Sequence, residues 1–244
     1  MFLVYLILVR KVINNFIIRC PQPKTWRTDM TRFKLVLFDM DGTLLKNRGI
    51  FVIAEKKGFL EELIRLFKDD SREFYKRSID IAKLQKGFSK KEFLEIFRTV
   101  PIQDHAKEVI DELKNKKIKT AIVTDSYKFL ADDLRQRLGI DLVFANDLVT
   151  NGDIITGELI MQNKDLKSEF YTGKIYSICK SCILEKLCKE MSITEKEVIT
   201  VGDGKIDIGM IKKAGLGIAI NALEELQKNA DVVTDDLRVI LDYV

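Results

Sequence analysis

The chain has 244 residues, 46% of them apolar and 32% charged, which is the composition of a folded globular protein long enough to bury a substantial core. That excludes disordered, collagen-like and disulfide-scaffold classes. The net charge of +4 suggests a nucleic acid or an anionic surface only until it is located. Residues 1–29 hold Arg10, Lys11, Arg19, Lys24 and Arg27 against Asp29 alone, so the rest of the chain is neutral and no nucleic-acid partner is expected. Four cysteines are too few to frame the fold and point to reduced thiols in a cytoplasmic protein.

The first 29 residues form an extension of their own. Met1–Val9 is apolar, Arg10 and Lys11 interrupt it, and a second apolar cluster follows around Val12, Ile13 and Phe16–Ile18. Neither run reaches the roughly 20 residues a membrane-spanning helix needs, and the bases lie on the wrong side for a secretory signal. Contact with a membrane surface is one reading of this prefix. The preferred one is that Met30 is the natural start and the prefix is dispensable.

From Phe33 onward, short apolar runs alternate with amphipathic segments, the signature of βαβ units and a parallel sheet in an α/β fold. Strands are expected at 35–38, 120–123, 142–145, 198–201 and 216–220, with a weaker one at Val232 and Val233. Helices are expected at 106–114, 129–138, 183–191 and 208–213. Residues 50–100 break this rhythm with helical periodicity and no strand, and read as a small helical insert after the first strand. Around Asn151-Gly152, short β-prone segments predict a hairpin flap with a type I′ turn.

Chemistry gathers where strands end. Asp39-Met40-Asp41-Gly42-Thr43 directly follows the first strand, and Gly202-Asp203-Gly204 with Asp207 directly follows the fourth. Both positions lie at the carboxyl edge of a parallel sheet, where open α/β folds bind ligands. Four clustered carboxylates cannot all ionise without a compensating cation, and an all-oxygen donor set beside a phosphate points to Mg²⁺. Thr124 offers a hydroxyl at the same edge, and Lys180 offers a fixed positive charge just before a helix. Cys179 and Cys188 would point to opposite sides of one helix, so helix packing is expected of the cysteines around Lys180 rather than a metal cluster. The single histidine, His105, is expected at the surface or at a helix cap.

With Asp39-x-Asp41-Gly42-Thr43, Thr124, Lys180, and Gly202-Asp203-Gly204 with Asp207 in this order, the chain resembles the haloacid dehalogenase superfamily, and within it the phosphoserine phosphatase branch. The resemblance covers residues 33–244. It implies a Rossmann-like parallel sheet with helices on both faces, formed by residues 30–49 and 101–244, and a helical cap formed by residues 50–100. It further implies a Mg²⁺-dependent phosphatase acting on a small-molecule phosphomonoester. Asp39 would be the nucleophile that forms an aspartyl phosphate, and Asp41 the general acid and base. Asp39, Asp203 and the backbone carbonyl of Asp41 would hold the metal. Lys180 and Thr124 would bind phosphoryl oxygens, with Asp207 and Thr43 in support. A phosphomutase, or a catalytically quiet binding protein using the apolar prefix, are the competing readings.

Three departures from the branch concern substrate. Phosphoserine phosphatases usually carry Ser-Gly-Gly where this chain has Thr124-Asp125-Ser126. They carry a Glu nine residues after the nucleophile that reads the substrate amino group, where this chain has Arg48; Glu55, further along, could replace it if the cap entrance is shifted. The cap Arg that pairs with the substrate carboxylate has no equivalent near 81–86. Phosphoryl chemistry is therefore expected to be kept and serine recognition altered, with Arg48 as the selecting residue.

Overall fold

Strand β1 (Leu35–Phe38) sits in the middle of the sheet, and all four of its side chains are fully buried, a continuous apolar run with cover on both faces. The structure, a computed structural model, describes residues 33–69 and 73–244. The apolar prefix 1–29 and the expectations attached to it lie outside the described residues. Alternation along β1 divides the core. Val36 and Phe38 join a large apolar cluster with helices α5 (Ala106–Asn115) and α6 (Lys128–Leu138), while Leu35 and Leu37 face α7 (Lys180–Met191) and α8 (Ile208–Lys213). Each such side chain contributes roughly 1.5–3 kcal/mol of burial.

The remaining strands are β2 (Lys119–Tyr127), β3 (Leu142–Asn151), β4 (Ile154–Ile160), β5 (Val198–Gly202), β6 (Leu216–Ile220) and β7 (Val232–Thr234), in the sheet order β4-β3-β2-β1-β5-β6-β7. All neighbours are parallel except β3 and β4. The chain leaves β1 toward β2 and β3, then returns to β5 on the other side. This reversal opens a crevice at the carboxyl ends of β1, β2 and β5. Register makes the juxtaposition definite, since Phe38 lies opposite Ile122 on β2 and Val201 on β5.

The described residues of 49–97 form four helices, α1 (Gly49–Lys57), α2 (Leu60–Lys68), α3 (Phe74–Leu84) and α4 (Lys90–Phe97), as the periodicity of that stretch predicts. Gly58 ends α1 at φ 79°, a left-handed cap that suits glycine. The Ser89 hydroxyl starts α4 by accepting from the Glu92 amide. Ile53, Leu63, Ile81, Phe93 and Phe97 from these helices belong to the same apolar cluster as Val36 and Phe38. A last short helix, α9 (Glu224–Gln227), precedes β7.

Three expectations are corrected. The hairpin flap forms, but Asn151 remains in β3 paired with Ile154. The two-residue turn is Gly152-Asp153, with a positive φ at Gly152 only, the pattern of a type II′ turn rather than I′. Helix α7 begins at Lys180, not 183, because Cys179 supplies its cap. Cys179 and Cys182 are bonded to each other rather than reduced, while Cys188 packs as a buried free thiol. His105 lies where expected, at the head of α5, with its Nδ1 2.9 Å from Glu108.

Candidate active site

The amide of Asp39 still belongs to the sheet, donating to the Val201 carbonyl at 2.9 Å, so its side chain emerges where β1 stops. It is buried, and Lys180 Nζ donates to its Oδ1. The same ammonium donates to Asp207 Oδ1 at 2.6 Å. Burial alone would lower the Lys180 pKa, but Asp207 and then Asp39 outweigh it and raise it, so the ammonium stays charged. Asp207 is fixed further by the Asp203 and Gly204 amides, which donate to its Oδ2 at 3.1 and 3.0 Å.

Asp41 follows one turn residue later. Its Oδ1 accepts from the Gly49 amide at 2.6 Å, so the carboxylate caps the head of α1 from outside. Burial pushes its pKa up to about 6, against the pull of the Gly49 hydrogen bond. Asp203, at the end of β5, is pushed up to about 7 by burial and then by the negative charge of Asp207. Burial, joined by the charges of Asp207 and Asp203, likewise holds the Asp39 pKa well above the usual carboxylate range, although Lys180 opposes it.

Carboxylate oxygens of Asp39, Asp203 and Asp207 lie within 4.8 Å of one another, an acidic triad that could hold a metal ion. The donor set fits a hard divalent cation: all oxygen, crowded, and costly to ionise without one. Gly42 completes the cradle. Its φ is +90°, and a Cβ there would collide with the Asp203 carboxylate. Gly42→Ala is therefore expected to cost about 1–3 kcal/mol of stability through the backbone alone. It should also lower turnover at least tenfold by displacing Asp203, with denaturant unfolding and steady-state kinetics as the two readouts.

The other sequence-predicted residues have distinct fates. Thr124 lies inside β2, fully buried, and its Oγ1 accepts from the Ser126 amide at 3.2 Å, leaving its own proton to donate. Thr43 is buried at the turn, and its hydroxyl finds no hydrogen-bond partner among the described residues. Arg48, 44% exposed, points at the carboxylates, with Nη2 4.0 Å from Asp203. Although burial works against it, Asp203, Asp125 and Asp39 raise its pKa. Glu55 is exposed on α1 and does not reach the site.

A cavity of about 380 Å³ opens over this edge, reached by Asp39, Asp41, Arg48, Asp125, Ser126 and Asp203. Its far wall comes from the inserted helices, where Phe74, Arg77, Ser78 and Ile81 line it at helical spacing along α3. The Arg77 guanidinium rests 4.6 Å from the Phe74 ring and 4.9 Å from Phe67. Arg77 lies outside the 81–86 stretch named in the sequence, one turn earlier on the same α3 stripe as Ile81, and that helical spacing is the signal that points to it. Buried Glu169 was missed as well. It accepts from Ser181 Oγ at 2.5 Å and fills the space that a side chain on Gly209 would need.

Residues 33–215 match the family of haloacid dehalogenase-like hydrolases. The chain belongs to that family. Its relatives include the phosphoserine phosphatase of Methanocaldococcus jannaschii, 32% identical over 86% of this chain and 97% of the relative. Another, from Campylobacter jejuni subsp. doylei, is 32% identical over 86% and 99%. A solved structure described as a phospho-aspartyl intermediate analogue of phosphoserine phosphatase shares the fold at TM-score 0.74 and 32% identity, covering 87% of this chain and 99% of that one. A substrate-bound phosphoserine phosphatase complex matches equally well, at TM-score 0.74 and 31% identity over 87% and 99%. This family member is thus an enzyme of the phosphatase type, phosphoserine phosphatase-like. Among its described residues no helix is long and apolar enough to cross a membrane.

Proposed function

We propose that this hydrolase is a cytoplasmic, Mg²⁺-dependent phosphatase of a small phosphomonoester that works through an aspartyl phosphate on Asp39 and reads its alcohol differently from phosphoserine phosphatases. The observation that carries the reading is the buried network in which Lys180 bridges Asp39 and Asp207 while Asp41, anchored on the Gly49 amide, stands beside it facing the cavity. In this reading residues 30–49 and 101–244 are the catalytic core, and residues 50–100 are the cap that closes over the leaving group.

Asp39 attacks phosphorus in line, turning one difficult displacement into two easier ones. Lys180 and the Thr124 hydroxyl hold the phosphoryl oxygens and favour the charge that spreads over them in transit. Asp207 keeps the Lys180 ammonium aimed. Asp41 gives its proton to the departing alkoxide, then takes one from the water that hydrolyses the phosphoenzyme. Asp39, Asp203 and the Asp41 carbonyl would hold the Mg²⁺, which would supply neutralisation of phosphate charge. Thr43 supports the turn that carries Asp41.

Arg48 sets the substrate difference. A cation in a partly closed pocket repels an ammonium far more than on a surface, so a neutral or anionic alcohol is accepted in preference to serine. A panel of phosphomonoesters in Mg²⁺ buffer, with Asp39→Asn as the blank, tests both parts. Turnover should vanish in EDTA and return with Mg²⁺. The Mg²⁺ affinity should weaken as pH falls through about 7, where Asp203 takes up its proton. L-phosphoserine should rank low, and Arg48→Glu should raise its kcat/KM. Full activity in metal-free buffer would refute the metal site; phosphoserine as the best substrate, unimproved by Arg48→Glu, would refute the role of Arg48.

A further inference from the structure

The cysteine pair that the mechanism leaves unused encloses one of its central residues. Cys179 and Cys182 have Cα atoms 5.2 Å apart and close a disulfide ring around Lys180 and Ser181. Cys179 caps α7, with its Sγ 3.3 Å from the Cys182 amide. Of the two residues inside the ring, Lys180 is committed to the site and Ser181 to a buried partner behind it. Lys180 holds Asp39 and Asp207, and Ser181 donates to buried Glu169. The two residues also differ in exposure, Cys179 being 6% exposed and Cys182 half-buried. Cys188 takes no part; it is buried in the core cluster beneath α7, and burial pushes its thiol up to about 11.

We propose that Cys179–Cys182 is a dithiol–disulfide exchange site whose redox state sets how firmly Lys180 holds a phosphoryl group, the reaction partner being a dithiol reductant. In a cytoplasmic enzyme, as proposed above, disulfides are of the transient, redox-sensing kind. A thiolate of the reductant attacks the Sγ of Cys182, the more exposed of the two residues. The Cys179–Cys182 bond breaks, and Cys179 leaves as a thiolate at the head of α7, where the Cys182 amide that already donates to its sulfur stabilises it. The second thiolate of the reductant then attacks its own sulfur in the mixed disulfide and releases Cys182. The protein gains two electrons and two protons as two thiols, and the reductant departs as a disulfide. Opening the ring removes the covalent tie across the first turn of α7. Lys180 then depends on its hydrogen bonds alone for its position.

The test compares the two states of the full chain, with peptide-resolved thiol alkylation at Cys182 reporting the state. With p-nitrophenyl phosphate or the best ester from the panel, dithiothreitol is expected to raise KM at least threefold, with a smaller fall in kcat, and oxidised glutathione to reverse it. Cys182→Ser should behave like the reduced enzyme and ignore dithiothreitol. Cys179→Ser, which keeps a capping oxygen, should do the same. The inference rests on the Lys180 role assigned above, so Mg²⁺-dependent binding of inorganic phosphate is measured by calorimetry in parallel. Absence of turnover with every ester would sink the phosphatase reading, yet a threefold weaker phosphate affinity on reduction would still support exchange at this site. Equal KM and equal phosphate affinity in both states, with alkylation showing that the state has changed, would overturn it. So would finding Cys182 still fully alkylatable after oxidised glutathione, since no exchange at this site would then have occurred.

Discussion

Asp39→Asn is expected to lower turnover by roughly 10⁴-fold or more, the scale of loss when a covalent nucleophile is removed. An amide does not attack phosphorus, and the change also takes a carboxylate from the triad with Asp203 and Asp207. The fold should survive. Lys180 keeps its 2.6 Å ion pair with Asp207, so the buried ammonium is not left without an anion. The substitution also removes a carboxylate whose neighbours Asp207 and Asp203 both disfavour its ionisation. Acid-quench trapping should detect a phosphoenzyme in wild type and none in the variant. Residual activity within tenfold of wild type, or a phosphoenzyme that persists, would end the aspartyl-phosphate mechanism.

Asp41→Asn should fail differently. Its Oδ1 is an acceptor for the Gly49 amide, and an asparagine oxygen can take that hydrogen bond at the same place, so the head of α1 stays in position. Phosphate analogues should bind within about threefold of wild type, while turnover falls by the ~10²–10⁴-fold typical of general acid–base catalysis. The pH profile separates this role from a structural one. Burial holds the wild-type carboxyl protonated up to about pH 6, and the proposed general-acid role uses that protonated form. Above that pH the donor is lost tenfold per unit, so kcat/KM should fall along an alkaline limb that begins near 6. In the asparagine variant that limb should be missing, and esters with a leaving group that needs no proton should be hydrolysed least impaired. A limb that persists unchanged in Asp41→Asn would assign it to another group.

How much of this site could be read from the chain depends on the distance over which each feature is set. The bounds of β1 and β6, the helical nature of 49–97, and the position of Asp39 and Asp203 at strand ends are local facts. Periodicity of two or 3.6 and glycine-marked turns write them into ten or so neighbouring residues, and the residue order then carries the family resemblance. The short-range misreadings are also local. The Asn-Gly pair named the hairpin but not which residue turned, since strand pairing with Ile154 held Asn151 in β3. The first turn of α7 was lost because a cysteine, rather than one of the usual oxygen caps, starts it.

What only the tertiary structure decided is which of these local features meet. Lys180 lies 141 residues from Asp39 and 27 from Asp207, and nothing in the sequence around any of them encodes the contact. It follows from the register that sets Phe38 beside Val201 and from the crossover that delivers the head of α7 to the same edge. The same packing set Arg48 beside Asp203 and kept Glu55 out in solvent. It also swung the α3 stripe carrying Arg77 over the cavity and joined the two sulfurs on either side of Lys180. Local periodicity determines which face of an element is buried, but the angle and register at which elements pack determine what each exposed group touches. The chain by itself therefore specified a hydrolase edge lined with carboxylates, and the fold decided how they are wired.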